Sequence, residues 1–450
     1  MRCAFSGARY AIDRTRTVVG GLSLWQREYG ARLGGGMLGD ILDGLGLLLD
    51  PAHCDGPHRL GPAVMAAAPQ LDAAEIVVYL VDYAQTTLTP LGGPGVPHRD
   101  ALPIDGTLAG RAYAATQVCE TSAEAPPRIW LPLLDGAQRL GVVEIVPKDH
   151  ANRATFAAVA ALLGQLVSTR RWYGDAIEHI RRRLPMQVAT ETVWGLLPPL
   201  TLATEDVVVA GILEPCYEVG GDVFDYAVNP DVTHVALFDA VGHGITASML
   251  STLAVNAYRN ARRCGLNLVD TYRSIDKWVR ACYPDSFLTA ILAELDPATG
   301  RYRRICAGHP GELLLRNGKL VRVLPGPTAL PLGMDDLGGS LPADLRRPEV
   351  QAPGIYQPVV TEEPLEPGDH LLLYTDGVIE ARSEAGEFFG VERLAGFLVR
   401  ALADQYRPAE TMRRLIHAIL DHQHEQLQDD ATAVCVHWSG GVTARSPGYP

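Results

Sequence analysis

No Cys-x-x-Cys pair occurs in this chain, although it holds eight cysteines, so neither a disulfide framework nor a cysteine-type zinc site is indicated. Long apolar runs are missing too. The best candidate, Met37 to Leu49, is interrupted by Asp40 and Asp43 and falls short of the roughly 20 residues that a bilayer span requires. Arginines stand at positions 2, 9, 14 and 16, but no apolar core follows them, so no secretory leader is expected. Positive charge is not in excess either. The 39 basic residues are outnumbered by 52 acidic ones, a formal charge of −13, which argues against a nucleic-acid partner. These absences together predict a soluble cytoplasmic protein without membrane insertion. At 450 residues the chain is long for one core, and two or three domains are expected.

Residues 1–35 are rich in Gly and Arg, show little periodicity and are expected to form a mobile tail, as is the stretch 441–450. Weak helical spacing follows over 36–49 and 58–68. Glu75 to Asp82 reads as a buried strand with Leu88 to Pro90 as its partner. Residues 102–113 give a short strand and a helix begun near Thr107, and Arg128–Leu133 and Leu140–Val146 give two more strands around Asp135-Gly136. This order, with Arg139-Leu140-Gly141-Val142-Val143-Glu144 near its end, resembles a GAF sensor domain over residues 36–168, with a core at about 55–168. The resemblance implies a six-stranded antiparallel sheet flanked by helices, and a ligand or chromophore of unknown identity in many such domains. Cys119 is read as an incidental thiol rather than a chromophore anchor.

Apolar residues at 156, 159, 163, 166, 173, 177, 180 and 184 recur in steps of three, four and seven, the pattern of one helix with a narrow stripe. Two readings stand: a core helix of the first domain running on as a linker, or a homodimer helix over 156–184 that transmits a signal. Linker helices are expected over 153–198. Beyond residue 199 the pattern changes to repeated hairpins interspersed with long helices at 245–263, 267–282, 391–403 and 409–425. Such a mixture predicts an α+β layered domain over 199–440. Asn317-Gly318 between two apolar runs is the strongest short hairpin signal. Residues 335–368, rich in Pro, Gly and Asp, are read as a long surface loop.

The chemistry gathers around Tyr217 to Gly244. Apolar runs Val223–Val228 and His234–Phe238 flank the turn Asn229-Pro230-Asp231 and predict a β-hairpin. Asp222 enters its first strand and Asp239 leaves its second, so the two carboxylates would meet at one rim. Asp376 directly follows another apolar strand, and Asp429 directly precedes one. Were these four to converge, they would bind two divalent ions about 3.5–4 Å apart across a shared carboxylate. Oxygen-only ligation suits Mg²⁺ or Mn²⁺ rather than zinc.

Seven motifs then stand in the order found in SpoIIE-type serine/threonine phosphatases, bacterial relatives of the type 2C metal-dependent protein phosphatases. They are Glu214-Pro215 to Gly220-Gly221-Asp222, Asp239-x-x-Gly242-His243-Gly244, Ala307-Gly308-His309-Pro310, Pro331-Leu332-Gly333, Pro367-Gly368-Asp369, Tyr374-Thr375-Asp376-Gly377 and Asp429-Asp430-Ala431-Thr432. Leu196-Leu197-Pro198 is similar to an element that often precedes this domain. The resemblance implies a sandwich of two antiparallel sheets covered by helices, with two Mn²⁺ or Mg²⁺ ions in a cleft at one sheet edge. By position, Asp239 would bridge both ions. Asp222 and the carbonyl of Ala240 would hold one, and Asp376 and Asp429 the other. Asp225 and Asp430 would support the site without ligating. Water activated between the ions would attack the phosphoryl group, so no phosphoenzyme is expected.

His243 has two readings, protonation of the leaving serine oxygen or ordering of the glycine turn. His309 is read as structural, and His422 with His424 as a solvated helix face. The family further implies a phosphorylated STAS-domain anti-anti-sigma protein as substrate, in a sigma-factor partner-switching pathway. A different class of function, a non-catalytic docking switch on a phosphatase fold, is disfavoured by the intact acidic set. A small-molecule phosphohydrolase is disfavoured by the lack of any base- or sugar-reading pocket.

Overall fold

The computed structural model describes residues 44–49, 56–121, 126–148, 153–214, 217, 220–334, 358–424 and 429–440. Both tails expected to be mobile, most of the early helical stretch at 36–49 and most of the loop expected at 335–368 lie outside these residues. Two compact units divide the chain near residue 181.

The first unit is built on strands β1 (Ala73–Val81), β2 (Thr87–Pro90), β3 (Leu102–Pro103), β4 (Cys119–Glu120), β5 (Ile129–Asp135) and β6 (Gln138–Pro147). They form one sheet in the order β3-β2-β1-β6-β5-β4. Helices α1 (Leu60–Ala67) and α3 (Arg153–Arg170), with α4 (Ala176–Arg181), cover one face, and α2 (Leu108–Ala115) lies against the other. Ile76, Val78 and Leu80 enter the first core, while Val77, Tyr79 and Val81 enter the second. Burial on both faces is why β1 reads as an unbroken apolar run rather than an alternating one. The helix α2 starts where expected, because Thr107 Oγ1 accepts from Gly110 N at 2.9 Å.

The single helix expected over 156–184 is not formed. The α3 helix stops at Arg170, a 3-10 turn spans Arg171–Tyr173, and Gly174 takes extended backbone before α4 begins. Phe156, Val159, Leu163, Leu166 and Ile177 are buried in the core of their own unit. These five positions pack as the core-helix reading expected, whereas Tyr173 and Leu184 of the same stripe are exposed. Trp172 and Tyr173, which would have sat within that helix, are exposed.

The second unit holds two sheets. One has five strands in the order β15-β12-β11-β10-β9: β9 (Val223–Val228), β10 (Thr233–Ala240), β11 (Leu288–Leu295), β12 (Arg301–Ala307) and β15 (Thr361–Pro364). The other has six in the order β14-β13-β16-β17-β8-β7: β7 (Thr201–Ala203), β8 (Val207–Glu214), β13 (Leu313–Arg316), β14 (Lys319–Val323), β16 (His370–Tyr374) and β17 (Ala431–Trp438). Every pairing resolved in this unit between named strands is antiparallel. Phe224, Leu237, Ile291, Leu371, Leu373 and Val434 meet in the core between the sheets. Helices α5 (Val188–Leu196), α6 (Gly244–Arg263) and α7 (Leu268–Cys282) cover the five-stranded sheet. On the six-stranded sheet lie the one-turn helix α8 (Asp376–Ile379), α9 (Gly390–Ala403) and α10 (Pro408–His422). Asn317 and Gly318 both take left-handed backbone, the conformation that a two-residue hairpin between β13 and β14 requires.

Two elements differ from expectation. Residues 361–364, assigned to the long loop, pair as edge strand β15 with β12, although Thr-Glu-Glu-Pro carries no apolar alternation to announce a strand. The helix α5, expected as linker, contributes Val193 to the core it shares with α6. Among the described residues no helix is long and apolar enough to cross a membrane.

One buried ion cluster ties sheet to helix. Asp225, on the helix-facing side of β9, accepts from Arg259 at 2.7 Å and from Arg262 at 2.8 Å, both on α6. Replacing it with alanine strands two cations against an apolar interface, and Asp225→Ala should cost about 3 kcal/mol in urea unfolding.

Candidate metal centre

Strand alternation decides which side chains line the rim of the sandwich. On β10, Ala236, Phe238 and Ala240 pack toward α6 and α7, whereas Val235 and Leu237 pack between the sheets. Asp239 shares the inner face with the latter. The same parity puts Asp222 beside Phe224, Thr289 beside Ile291, Thr375 beside Leu373, and Asp430 with Thr432 beside Val434. Register supplies the rest. Val223 pairs with Phe238, so Asp222 and Asp239 stand adjacent where the hairpin leaves the ladder. Asp376 opens α8 directly after β16, and Asp429 stands two residues before β17, the neighbour of β16.

Three of the carboxylates, Asp222, Asp430 and Asp429, have hydrogen-bond donors of their own. The Thr375 hydroxyl donates to Asp222 Oδ2 at 2.7 Å and accepts from Thr432 N at 3.0 Å. Asp430 accepts from the backbone N–H of Gly220 at 2.8 Å and of Asp222 at 3.2 Å, fastening the approach to β9 onto the start of β17. Asp429 accepts from Asp430 N at 2.9 Å. A side chain on Gly221 would bring its Cβ within 2.3 Å of the Ala240 carbonyl oxygen, so only glycine allows the two segments to approach this closely. The Ser251 hydroxyl on α6 donates to the Gly221 carbonyl and fixes the same segment.

The electrostatics are those of acids crowded without a counter-charge. Burial, then Asp239 and Asp430, hold the Asp222 carboxyl well above the usual range. Burial, then Asp376, Asp429 and Asp430, push Asp239 up to about 7, against a lowering hydrogen bond from Thr289. Asp376 is raised by burial and then by Asp429 and Glu380. Asp430 reaches about 6 because burial outweighs its backbone donors. Among the described residues, no three His, Cys, Asp or Glu side chains close tightly enough on one point to ligate an ion by themselves. The donors are oxygen only, the chemistry by which Mg²⁺ binds through one or two carboxylates while keeping several waters. The residues fit such an ion.

The remaining candidates separate cleanly. His243 is exposed and precedes α6 in extended backbone without a side-chain cap bond, between Gly242 and Gly244, both at positive φ. His309 is buried, with Nδ1 2.6 Å from Thr289 Oγ1 and Nε2 3.1 Å from the Tyr374 carbonyl, and burial lowers its pKa to about 4. His422 stacks edge-on against Phe389 and lies 3.0 Å from the Glu387 carbonyl, while exposed His424 is 3.9 Å from Glu384, so the two share no ligand site. Asp225 and Asp430 are held by Arg259 and Arg262 and by backbone amides, in keeping with supporting roles. Sequence reading passed over Thr289, Thr375, Thr432 and Ser251. Only the parity of Thr289, Thr375 and Thr432 along their strands could have marked them.

In the first unit, a cavity of about 620 Å³ is lined by Leu102, Thr107, Leu108, Thr121, Arg128 and Trp130, among others. Cys119 is half-buried and absent from that lining, and burial raises its thiol pKa. It fits the incidental reading.

A mixed α/β sandwich of two antiparallel sheets, with crowded aspartates on its inner rim, is the class that the fold and site define. Residues 229–439, a little under half of the chain, match the family described as Stage II sporulation protein E (SpoIIE). Asp222 lies just ahead of the matched residues. The chain is 26% identical over 170 residues to phosphoserine phosphatase RsbP of Bacillus subtilis (strain 168), covering 36% of this chain and 37% of that protein. It is 21% identical over 251 residues to phosphoserine phosphatase RsbU of the same organism, covering 55% and 68%. Among solved structures, the RsbU and RsbW domains of Rv1364c from Mycobacterium tuberculosis align at 22% identity and a TM-score of 0.43, covering 53% of this chain and 62% of that one. The SiaA-PP2C domain of Pseudomonas aeruginosa aligns at 22% and 0.41, covering 51% and 85%. The chain thus spans little more than a third of RsbP and about two thirds of RsbU.

Because the folded pKa of Asp239 lies above its unfolded value near 4, its contribution to stability is full below about pH 4 and is lost as pH rises through about 7. In EDTA the thermal midpoint should therefore fall between about pH 5 and about pH 8, and Asp239→Asn should flatten that slope. Added Mn²⁺ should raise the midpoint most at the alkaline end. A slope of the opposite sign in scanning calorimetry would contradict this account of the rim.

Proposed function

We propose that the protein is a metal-dependent phosphoserine/phosphothreonine protein phosphatase, and one observation carries the reading. Aspartates from the approach to β9, from β10, from the β16–α8 junction and from the approach to β17 are drawn to one rim, raising one another's pKa so that protons or cations must offset their charge. Asp239 would bridge two Mg²⁺ or Mn²⁺ ions. Asp222 and the Ala240 carbonyl would hold one of them, and Asp376 and Asp429 the other. Bound there, the ions would polarise the phosphoryl oxygens and acidify a water. The chain's own contribution is positional: Thr375 orients Asp222, the Gly220 and Asp222 amides fix Asp430, and Gly221 lets its segment close on the Ala240 carbonyl. Exposed at the mouth of the same turn, His243 is available to protonate the departing serine oxygen.

The first unit would act as a GAF-type sensor, its 620 Å³ cavity taking a ligand of unknown identity. The matched relatives are named phosphoserine phosphatases, which supports the phosphoserine reading, and the motif resemblance supports a place in a partner-switching pathway. There the substrate would be a phosphorylated STAS-domain anti-anti-sigma protein, in the cytoplasm.

The full chain should hydrolyse p-nitrophenyl phosphate with Mn²⁺, and residues 186–450 at a different rate. Changes next to a metal already cost about 10–100-fold, so Asp239→Asn should cost more than about 100-fold. Full activity in that variant would overturn the assignment, and signalling that survived without activity would favour the docking switch. Silence toward every phosphorylated STAS partner of the host would remove the substrate claim.

A further inference from the structure

Buried His309 joins the two sheets at the acidic rim. Its ring spans from Thr289 Oγ1, at 2.6 Å, to the Tyr374 carbonyl, at 3.1 Å. Thr289 is the direct cross-strand partner of Asp239, and Tyr374 stands two residues before Asp376. Asp239 belongs to the five-stranded sheet, whereas Asp376 follows a strand of the six-stranded one. The two acids that must face a common ion thus hang from different sheets, and one imidazole links their supports.

Hydrogen-bond roles follow from the partners. A carbonyl only accepts, so Nε2 carries the ring hydrogen and Nδ1 is the acceptor. The Thr289 hydroxyl faces both Nδ1 and the Asp239 carboxylate, so this one side chain couples the imidazole to the acid. The Cys306 thiol, 3.0 Å from the His309 carbonyl, and the link from β12 into the turn hold the ring in place.

We infer that His309, acting through Thr289 and the Tyr374 carbonyl, is a positioning residue that sets the separation of Asp239 and Asp376. This rests on the metal-dependent reading above. It predicts an effect on cation affinity itself, beyond any effect on folding.

The test is Mn²⁺ binding to the full-length protein, followed by electron paramagnetic resonance titration beside urea unfolding in EDTA. His309→Phe keeps the ring volume and removes both polar contacts. Thr289→Val keeps the shape and removes the hydroxyl, while Thr289→Ser retains it. Both His309→Phe and Thr289→Val should weaken Mn²⁺ binding on the order of 10-fold, with Thr289→Ser within about 2-fold of the parent. Where His309→Phe fails to fold, Thr289→Val, which leaves the imidazole in place, decides the outcome. Lower stability with unchanged Mn²⁺ affinity would make the ring a structural link only and overturn the inference. A parent protein that binds no Mn²⁺ would overturn the metal-dependent reading and this inference with it, whereas a parent that binds normally beside unaffected variants sinks this inference alone.

Discussion

Everything at the rim depends on keeping like charges close together in a place where they repel. Asp222, Asp239, Asp376 and Asp430 are each pushed toward their protonated forms by burial and by neighbouring acids. Left to itself, such a cluster would drive the two sheets apart or neutralise itself with protons. The sandwich answers with restraints that do not neutralise the charge. Hydroxyls and backbone amides hold the acids, and the nearest paired arginines, Arg259 and Arg262, are engaged with Asp225 on the opposite face of the hairpin. Positive charge is thereby kept structural on the helix side, and the inner rim stays anionic.

The two-sheet core supplies the rigidity that this demands. Phe224, Leu237, Leu373 and Val434 interlock between the sheets immediately behind the acids. Beyond the core, α6 and α7 brace one sheet, and α9 and α10 the other. Close packing of this kind resists small displacements, which is what a set of crowded acids on four chain segments requires.

Much of this was legible in the residues. The hairpin with Asp222 and Asp239 could be read because turn residues interrupt two apolar runs, and the long helices because their apolar faces recur at helical spacing. Strand β15 could not, since it is a polar edge strand whose identity comes from its pairing with β12. The supposed long helix misled for the opposite reason. Spacing of three and four describes a stripe equally well whether a second chain or the protein's own sheet covers it, and only the packing of Phe156 and Leu163 decides. At the site, the acids stood out by type and position. The threonines did not, because a hydroxyl beside a strand end has no composition signal until its partner across the sheets is known. Thr289 and His309, near neighbours in space, are separated by a whole strand pair in sequence.

The parity of β9 has a consequence for how errors in folding are expressed. Asp222 faces inward and Asp225 faces α6 because successive residues alternate sides. Slipping the hairpin by one residue would exchange the two faces throughout. Such a molecule would bury Val223 where an acid belongs, and would present Asp225 away from both of its arginines. Loss of the core anchor and loss of the acidic rim would then arrive together, from one event. A misregistered chain would therefore lose the whole rim at once rather than hold an altered one.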